Sequence, residues 1–336
     1  MIDRRQFLAR STALASLATA SPATASPRAM ARARDDEPKQ ALVAITLDLE
    51  MSRQYPTRDQ LHWDYEKGNL DQDTKRYALE AARRVSDRGG TIHFFALGRT
   101  MEQDDVSWLG QIAEAGHPIG NHTYDHVNVL ATEHEAIQFR FRRAPWLIEG
   151  RSVEEVLREN IRLADRALRT RLGIGVAGFR TPGGFPDGIG QRADIQQMLM
   201  DQGYRWVSSK YPAHPSSTPG TPPDDALLDA IVAAQAEAQP FRYPSGLIEV
   251  PMSPISDVGA FRTGRWPLEA FLESIRRCVS RAIDRGAVFD FLAHPSCLLV
   301  EDPEFRSIDL ICDLVHRAKD RAAIVDLEAI ARRVPQ

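Results

Sequence analysis

The stretch Ala41-Leu42-Val43-Ala44-Ile45-Thr46-Leu47-Asp48-Leu49-Glu50 decides the reading of the fold. Leu42 to Leu47 is a short apolar run, fit for a buried strand. Its end is polar. Side chains alternate along a strand, so Asp48 and Glu50 point to one side and Leu49 to the other. Two neighbouring carboxylates repel each other unless they share a cation or a proton. In a parallel α/β barrel, reactive groups of this kind sit at the carboxyl ends of the strands.

Downstream, strand-like and helix-like segments alternate. Asp71 to Arg88 has helical periodicity through Tyr77, Ala81, Ala82 and Val85, and Gly89-Gly90 stops it. Thr91 to Leu97 predicts a strand and Val106 to Ala115 a helix. Val153 to Leu172 predicts a long amphipathic helix capped by Gly173. Strands are expected at Val176–Phe179, Tyr204–Val207, Leu247–Val250 and Ala287–Leu292, and helices at Ile195–Gln202 and Leu268–Ile283. Leu310–Ala318 and Ala323–Leu327 close the series. This alternation predicts a distorted, TIM-like (β/α) barrel of seven to eight mostly parallel strands, with an open doubly wound sheet as the alternative. Residues 127–152 and 211–245 exceed ordinary connections, and are expected to rim a substrate groove or to be surface insertions.

Upstream, the chain opens Asp3-Arg4-Arg5-Gln6-Phe7-Leu8, followed by an alanine-rich stretch from Ala13 to Ala20. Ala23-Thr24-Ala25 then offers a small-x-small cleavage site. The paired arginines resemble a twin-arginine export signal. Residues 1–25 are therefore expected to be a signal peptide, 26–40 a linker and 41–336 the catalytic domain. The product is expected outside the cytoplasm, periplasmic or extracellular. The apolar run is too short for a stable membrane anchor. The 42 basic and 46 acidic residues give a formal charge of −4, which supplies no basic field for nucleic acid. Cys278, Cys297 and Cys312 lack CxxC spacing and are read as buried apolar side chains rather than zinc ligands.

Four further polar clusters fall where strands are predicted to end. His122 and His126 in Asn121-His122-Thr123-Tyr124-Asp125-His126 stand four apart, one helical turn, so both imidazoles can face one metal ion. Asp48 or Glu50 is then available as a third ligand, leaving an open position for water. Arg180, in Phe179-Arg180-Thr181-Pro182-Gly183-Gly184, is placed to orient a carboxylate base. Tyr204-Arg205-Trp206-Val207-Ser208-Ser209 is another such cluster. His294, in Phe291-Leu292-Ala293-His294-Pro295, ends a strongly apolar strand and suits a general acid.

Together these motifs resemble the polysaccharide deacetylases, the family-four carbohydrate esterases that share the NodB homology domain. The resemblance runs from about Ala41 to Ile324, and its signature includes His122-Thr123-Tyr124-Asp125-His126, Arg180-Thr181-Pro182-Gly183-Gly184 and Leu292-Ala293-His294. It implies a divalent metal, zinc first with cobalt or another divalent ion as the alternative, held by Glu50, His122 and His126. It also implies Asp48 as catalytic base, Arg180 as its support, His294 as acid, and Gly183 and Trp206 at the substrate. The implied partner is an acetylated glycan that loses N-acetyl or O-acetyl groups. There are two departures. Leu49 stands where the family has a ligand aspartate, so Glu50 is expected to replace it. Ser208 and Ser209 stand where an aromatic residue and an aspartate would be, which leaves the support of His294 unassigned. The alternatives are a non-catalytic glycan-binding relative and an allantoinase-like amidohydrolase.

Overall fold

The computed structural model describes residues 39–51 and 67–335. The expected signal peptide and most of the linker lie outside the described residues. One sheet is built from β1 (Ala41–Leu49), β2 (Ile92–Ala96), β3 (Ile119–Asn121), β4 (Phe179–Phe185), β5 (Trp206–Lys210), β6 (Phe241–Arg242), β7 (Ile248–Glu249), β8 (Val288–Ala293) and β9 (Ala322–Ile324). The order is β6-β7-β5-β4-β3-β2-β1-β8, with β9 added to β1. All of these pairs are parallel except β6 with β7. Helices fill the crossovers, the longest being Val153–Leu172 and Leu268–Arg285. The former starts at a Ser152/Glu155 capping box and stops at Gly173, whose φ of 69° supplies the left-handed turn.

The sheet curls until its ends meet. Beyond β7, Val250 and Met252 donate to Val207 and Lys210 at 2.8 and 2.9 Å. Ser253 then donates to Asp290 at 3.1 Å, and Ser256 bridges to Leu292 of β8. The expected distorted barrel therefore forms, and the open doubly wound alternative does not. The mostly parallel sheet has nine strands rather than seven or eight among the described residues. The uncounted one, β6, has only 2 residues and lies antiparallel, too short to leave a period in the sequence.

The two-residue alternation separates two environments. Val43, Ile45, Leu47 and Leu49 of β1 face the helices in the main apolar cluster. Leu42 and Ala44 face inward, against Phe95, Trp206, Val250 and Leu327. Each large side chain buried this way contributes roughly 1.5–3 kcal/mol. All three cysteines are buried and free, as expected. The fourth strand starts later than the sequence suggests. Gly178 has φ +80°, and a Cβ there would lie 2.0 Å from the Trp206 ring, so the chain passes this point only as glycine. The strand then continues through Pro182, because the β4–β5 register skips from Arg180 to Phe185 and the missing N–H costs no ladder bond.

Neither long stretch is a bare loop. Residues 127–152 hold short helices at His134–Ile137 and Phe139–Arg143 and bury Val127, Ile137, Phe141 and Ile148. Residues 211–245 contain the helix Asp225–Ala234.

His93 lies in the barrel floor. It is fully buried, stacked on Phe95 at 4.7 Å, with Nε2 2.7 Å from the Ala177 carbonyl. Burial pushes its pKa from 6.5 down to about 3, and the Arg180 charge adds to the effect. The unfolded chain binds this proton between those values and the folded chain does not. Its share of stability is therefore complete above pH 6.5 and is lost as pH falls toward 3. His93→Gln should lower stability at pH 7 by about 1–3 kcal/mol and flatten the acid limb of a Tm–pH curve. An unchanged slope in a folded variant would assign that limb to other groups.

Candidate active site

β1 delivers the two carboxylates. Thr46 and Asp48 follow the inward alternation, and Glu50 lies one residue past the strand end. All three are buried. β3 ends at Asn121, and the next five residues are not helical. The helical-turn argument for the histidine pair is thus corrected. Thr123 and His126 adopt φ 65° and 61°, a region unfavourable for side chains with a Cβ, and for a β-branched threonine in particular. Hydrogen bonds hold this strained loop. Asn121 Oδ1 accepts from the Thr123 N–H at 2.7 Å, and Asn160 Oδ1 accepts from those of Tyr124 and Asp125 at 2.9 and 2.8 Å. The outcome is the convergence expected from the sequence, reached by other means. Glu50 Oε1 lies 3.2 Å from His122 Nε2 and 2.8 Å from His126 Nε2.

This donor set fits a metal ion. His122 Nδ1 sits 3.0 Å from the Arg180 carbonyl, which can only accept, so Nδ1 carries the proton. In the neutral ring, Nε2 then presents a bare lone pair to a carboxylate oxygen 3.2 Å away. Two acceptors at that separation repel unless a cation joins them. A ligand histidine whose other nitrogen is anchored on a carbonyl is the usual arrangement at metals. Burial holds His126 down to about 4, against the raising effect of Glu50, so its ring is uncharged at neutral pH. Burial alone would raise Glu50, but the neighbouring Lys67 and His294 charges hold it well below the usual range. With the His126 ring neutral, Lys67 and His294 are the cations that act on it. The ligand atoms of Glu50, His122 and His126 lie within 4.8 Å of one another.

Asp48 is held differently. Arg180 is fully buried and donates through Nη1 to Asp48 at 3.2 Å and Thr46 at 2.6 Å. Its Nη2 donates to Asp290 at 2.6 Å and Ser208 at 3.1 Å, and the guanidinium lies 4.4 Å from the centre of the Phe95 ring. Burial pushes Asp290 up to about 6, with Arg180 pulling it down, so it is ionised at neutral pH. Arg180 is therefore where the sequence reading placed it. Asp290 was missed, although a lone acid inside Val288-Phe289-Asp290-Phe291-Leu292-Ala293 is a visible signal.

The support of His294 is Asp257. Its Oδ2 accepts from the His294 backbone N–H at 2.7 Å, and its Oδ1 lies 2.9 Å from Nδ1. Nε2 is left facing Glu50 Oε1 at 3.6 Å. Burial would lower this histidine, but the Asp257 and Glu50 charges raise it well above its ordinary value. Asp257 follows the segment that closes the barrel, so nothing in the fourth cluster points to it. Ser208 serves Arg180 instead, and Ser209 donates to buried Glu249 at 2.5 Å.

A pocket of about 380 Å³ joins Asp48, Glu50, His126, Gly183 and His294, with Tyr211 on its wall. Trp206 is not there, which corrects its expected role at the substrate. It opens β5 rather than ending it, and its indole donates to Glu328 at 2.6 Å beside a separate groove of about 640 Å³.

Residues 71–207 match the family model described as polysaccharide deacetylase. No curated protein matches the chain. Among solved structures, a Mycobacterium smegmatis protein assigned to the polysaccharide deacetylases is 17% identical with a TM-score of 0.59, covering 89% of this chain and 91% of its own. A Pseudomonas aeruginosa PAO1 protein assigned likewise is 14% identical with a TM-score of 0.57, covering 87% and 89%. The allantoinase PuuE is 14% identical with a TM-score of 0.52, covering 88% and 93%. At these identities the likeness is one of fold. Residues 71–207, which carry His122, His126 and Arg180, therefore match the polysaccharide deacetylase family, the family that the motifs resemble.

Proposed function

We propose that the chain is an exported, metal-dependent hydrolase that removes acetyl groups from a carbohydrate. One observation carries this reading: His122, with Nδ1 turned to the Arg180 carbonyl, directs Nε2 at the Glu50 carboxylate, and Glu50 lines a pocket with Asp48, His126 and His294. Glu50, His122 and His126 would hold a divalent ion, zinc first. Such an ion supplies Lewis acidity and makes water acidic enough to attack near neutral pH.

The chain's own groups supply the rest. Asp48, oriented by Arg180, takes a proton from the attacking water. His294, charged and fixed by Asp257, gives a proton to the leaving nitrogen or oxygen. The backbone N–H of Gly183, which lines the same pocket, would donate to the developing oxyanion. Arg4-Arg5 and the alanine-rich run behind them support export to the periplasm or beyond. No helix among the described residues is long and apolar enough to cross a membrane. A second reading, hydrolysis of a small linear or cyclic amide, draws on the pocket itself, which at about 380 Å³ is closer to a small-molecule site than to a long groove.

Acetate release should be assayed on N-acetylglucosamine oligomers, peptidoglycan and acetylated xylan, with zinc or cobalt and with a chelator. Metal-dependent release from one of them is expected. Allantoin turnover without acetate release would select the second reading, and no turnover of any substrate by folded, metal-loaded protein would indicate a binding role. Asp48→Asn should cut turnover by roughly 10²–10⁴-fold and leave the metal bound; loss of the metal would make Asp48 a ligand. Asp257→Asn should keep the metal and lower kcat by roughly 10–100-fold. It also removes a charge that raises His294, so the alkaline limb of the pH–rate profile should move to lower pH. A limb that stays in place would remove Asp257 from this role.

A further inference from the structure

Lys67 enters the ligand set from a direction that no motif anticipates. Its side chain is 2% exposed, and its ammonium pairs with Glu50 Oε2. The same nitrogen lies 3.3 Å from His126 Nε2. The backbone brings it there. The Gly68 N–H donates to the Glu50 carbonyl at 2.6 Å, so residue 68 is tied to the end of β1. Gly68 holds φ +86°, and a Cβ on it would meet Arg99 Cβ at 2.6 Å. Only glycine makes this turn, and the turn lays Lys67 against the site. Lys67 also lines the pocket that contains Asp48 and His294.

An ammonium is costly to bury unless paired, and here its partners include two of the groups assigned to the metal. It offers three donors and no acceptor, so its contact with His126 uses the lone pair that a metal bond would need. A divalent ion on Glu50 and His126 would also stand a few ångströms from a fixed positive charge, in a buried setting where repulsion is weakly screened. The two cations are therefore competitors rather than neighbours.

Resting on the reading of Glu50, His122 and His126 as metal ligands, we propose that Lys67 is a built-in counter-cation of this centre. Its ammonium satisfies Glu50 and His126, and a divalent ion binds by displacing it. The centre is then weaker for metal than its three ligands alone would make it, and favours ions that bind imidazole strongly, such as zinc, over those that prefer oxygen, such as magnesium. Lys67 displaced by metal moves away from Glu50 and becomes more accessible to solvent or substrate.

The test is metal affinity on the metal-stripped full chain, by competition against a chromophoric zinc chelator. Lys67→Met and Lys67→Gln should each bind zinc about tenfold tighter than the parent chain or better, with near-UV circular dichroism confirming the fold. Their metal-free Tm should drop, and zinc should raise it by more than in the parent. Acylation of lysines in the unsubstituted chain, read by mass spectrometry, should modify Lys67 faster with zinc than without. Equal or weaker zinc affinity in both variants, or a Lys67 acylation rate that zinc does not change, would overturn the proposal. Failure of the parent and both variants to bind zinc or cobalt would overturn it together with the ligand assignment. Tighter zinc binding without acetate release from any glycan would uphold it and sink only the deacetylase reading.

Discussion

One buried guanidinium organises the interior of this barrel. Arg180 is fully enclosed and touches β1 through Thr46 and Asp48, β5 through Ser208 and β8 through Asp290. The Thr46 hydroxyl donates in turn to Asp290 at 2.8 Å. A single positive charge therefore serves two carboxylates across the hollow of the sheet. Removing any one member strands a charge in a low-dielectric interior, so the group is either complete or costly. The carbonyl of the same residue anchors His122. One residue thereby fixes both the proposed base and one ligand of the proposed metal, which ties the geometry of the site to the closure of the barrel.

The site divides into two electrostatic halves. On one side, Asp48 pairs with the Arg180 guanidinium. On the other, His294 is held in its charged form by Asp257 and Glu50, ready to give a proton. Glu50 lies between them and meets His122, His126, His294 and Lys67. Its place one residue beyond β1, where the longer side chain reaches back to the histidines, explains how the apolar Leu49 is tolerated at the intervening position. Leu49 faces the helices and is fully buried.

Much of this was legible in the residue order. Alternation along Ala41–Leu49 set the inward side, and with it Asp48 and Glu50, because a strand's period of two does not depend on what lies across from it. The apolar strand before His294 and the Phe179-Arg180 strand end were readable for the same reason. The helices Val153–Leu172 and Leu268–Arg285 announced themselves by period and by glycine caps.

What only tertiary structure decided were contacts between segments far apart in sequence. Asp257 supports His294 from 37 residues away, and Arg180 reaches Asp290 across 110, so neither pairing leaves a local pattern. The histidines converge by left-handed backbone at Thr123 and His126, a conformation imposed by Asn121 and Asn160 rather than preferred by the loop itself. Trp206 was misplaced because residue type shows that an aromatic belongs in the interior but not at which end of the barrel. No motif in the sequence includes Lys67, and the fold brings its charge to Glu50. The sequence by itself determined the parallel sheet, the faces and the candidate groups Asp48, Glu50, His122, His126, Arg180 and His294, because periodicity and residue chemistry are local. The pairing of those groups, and therefore their protonation states, was decided by barrel closure, which alone sets the distances over which charges act.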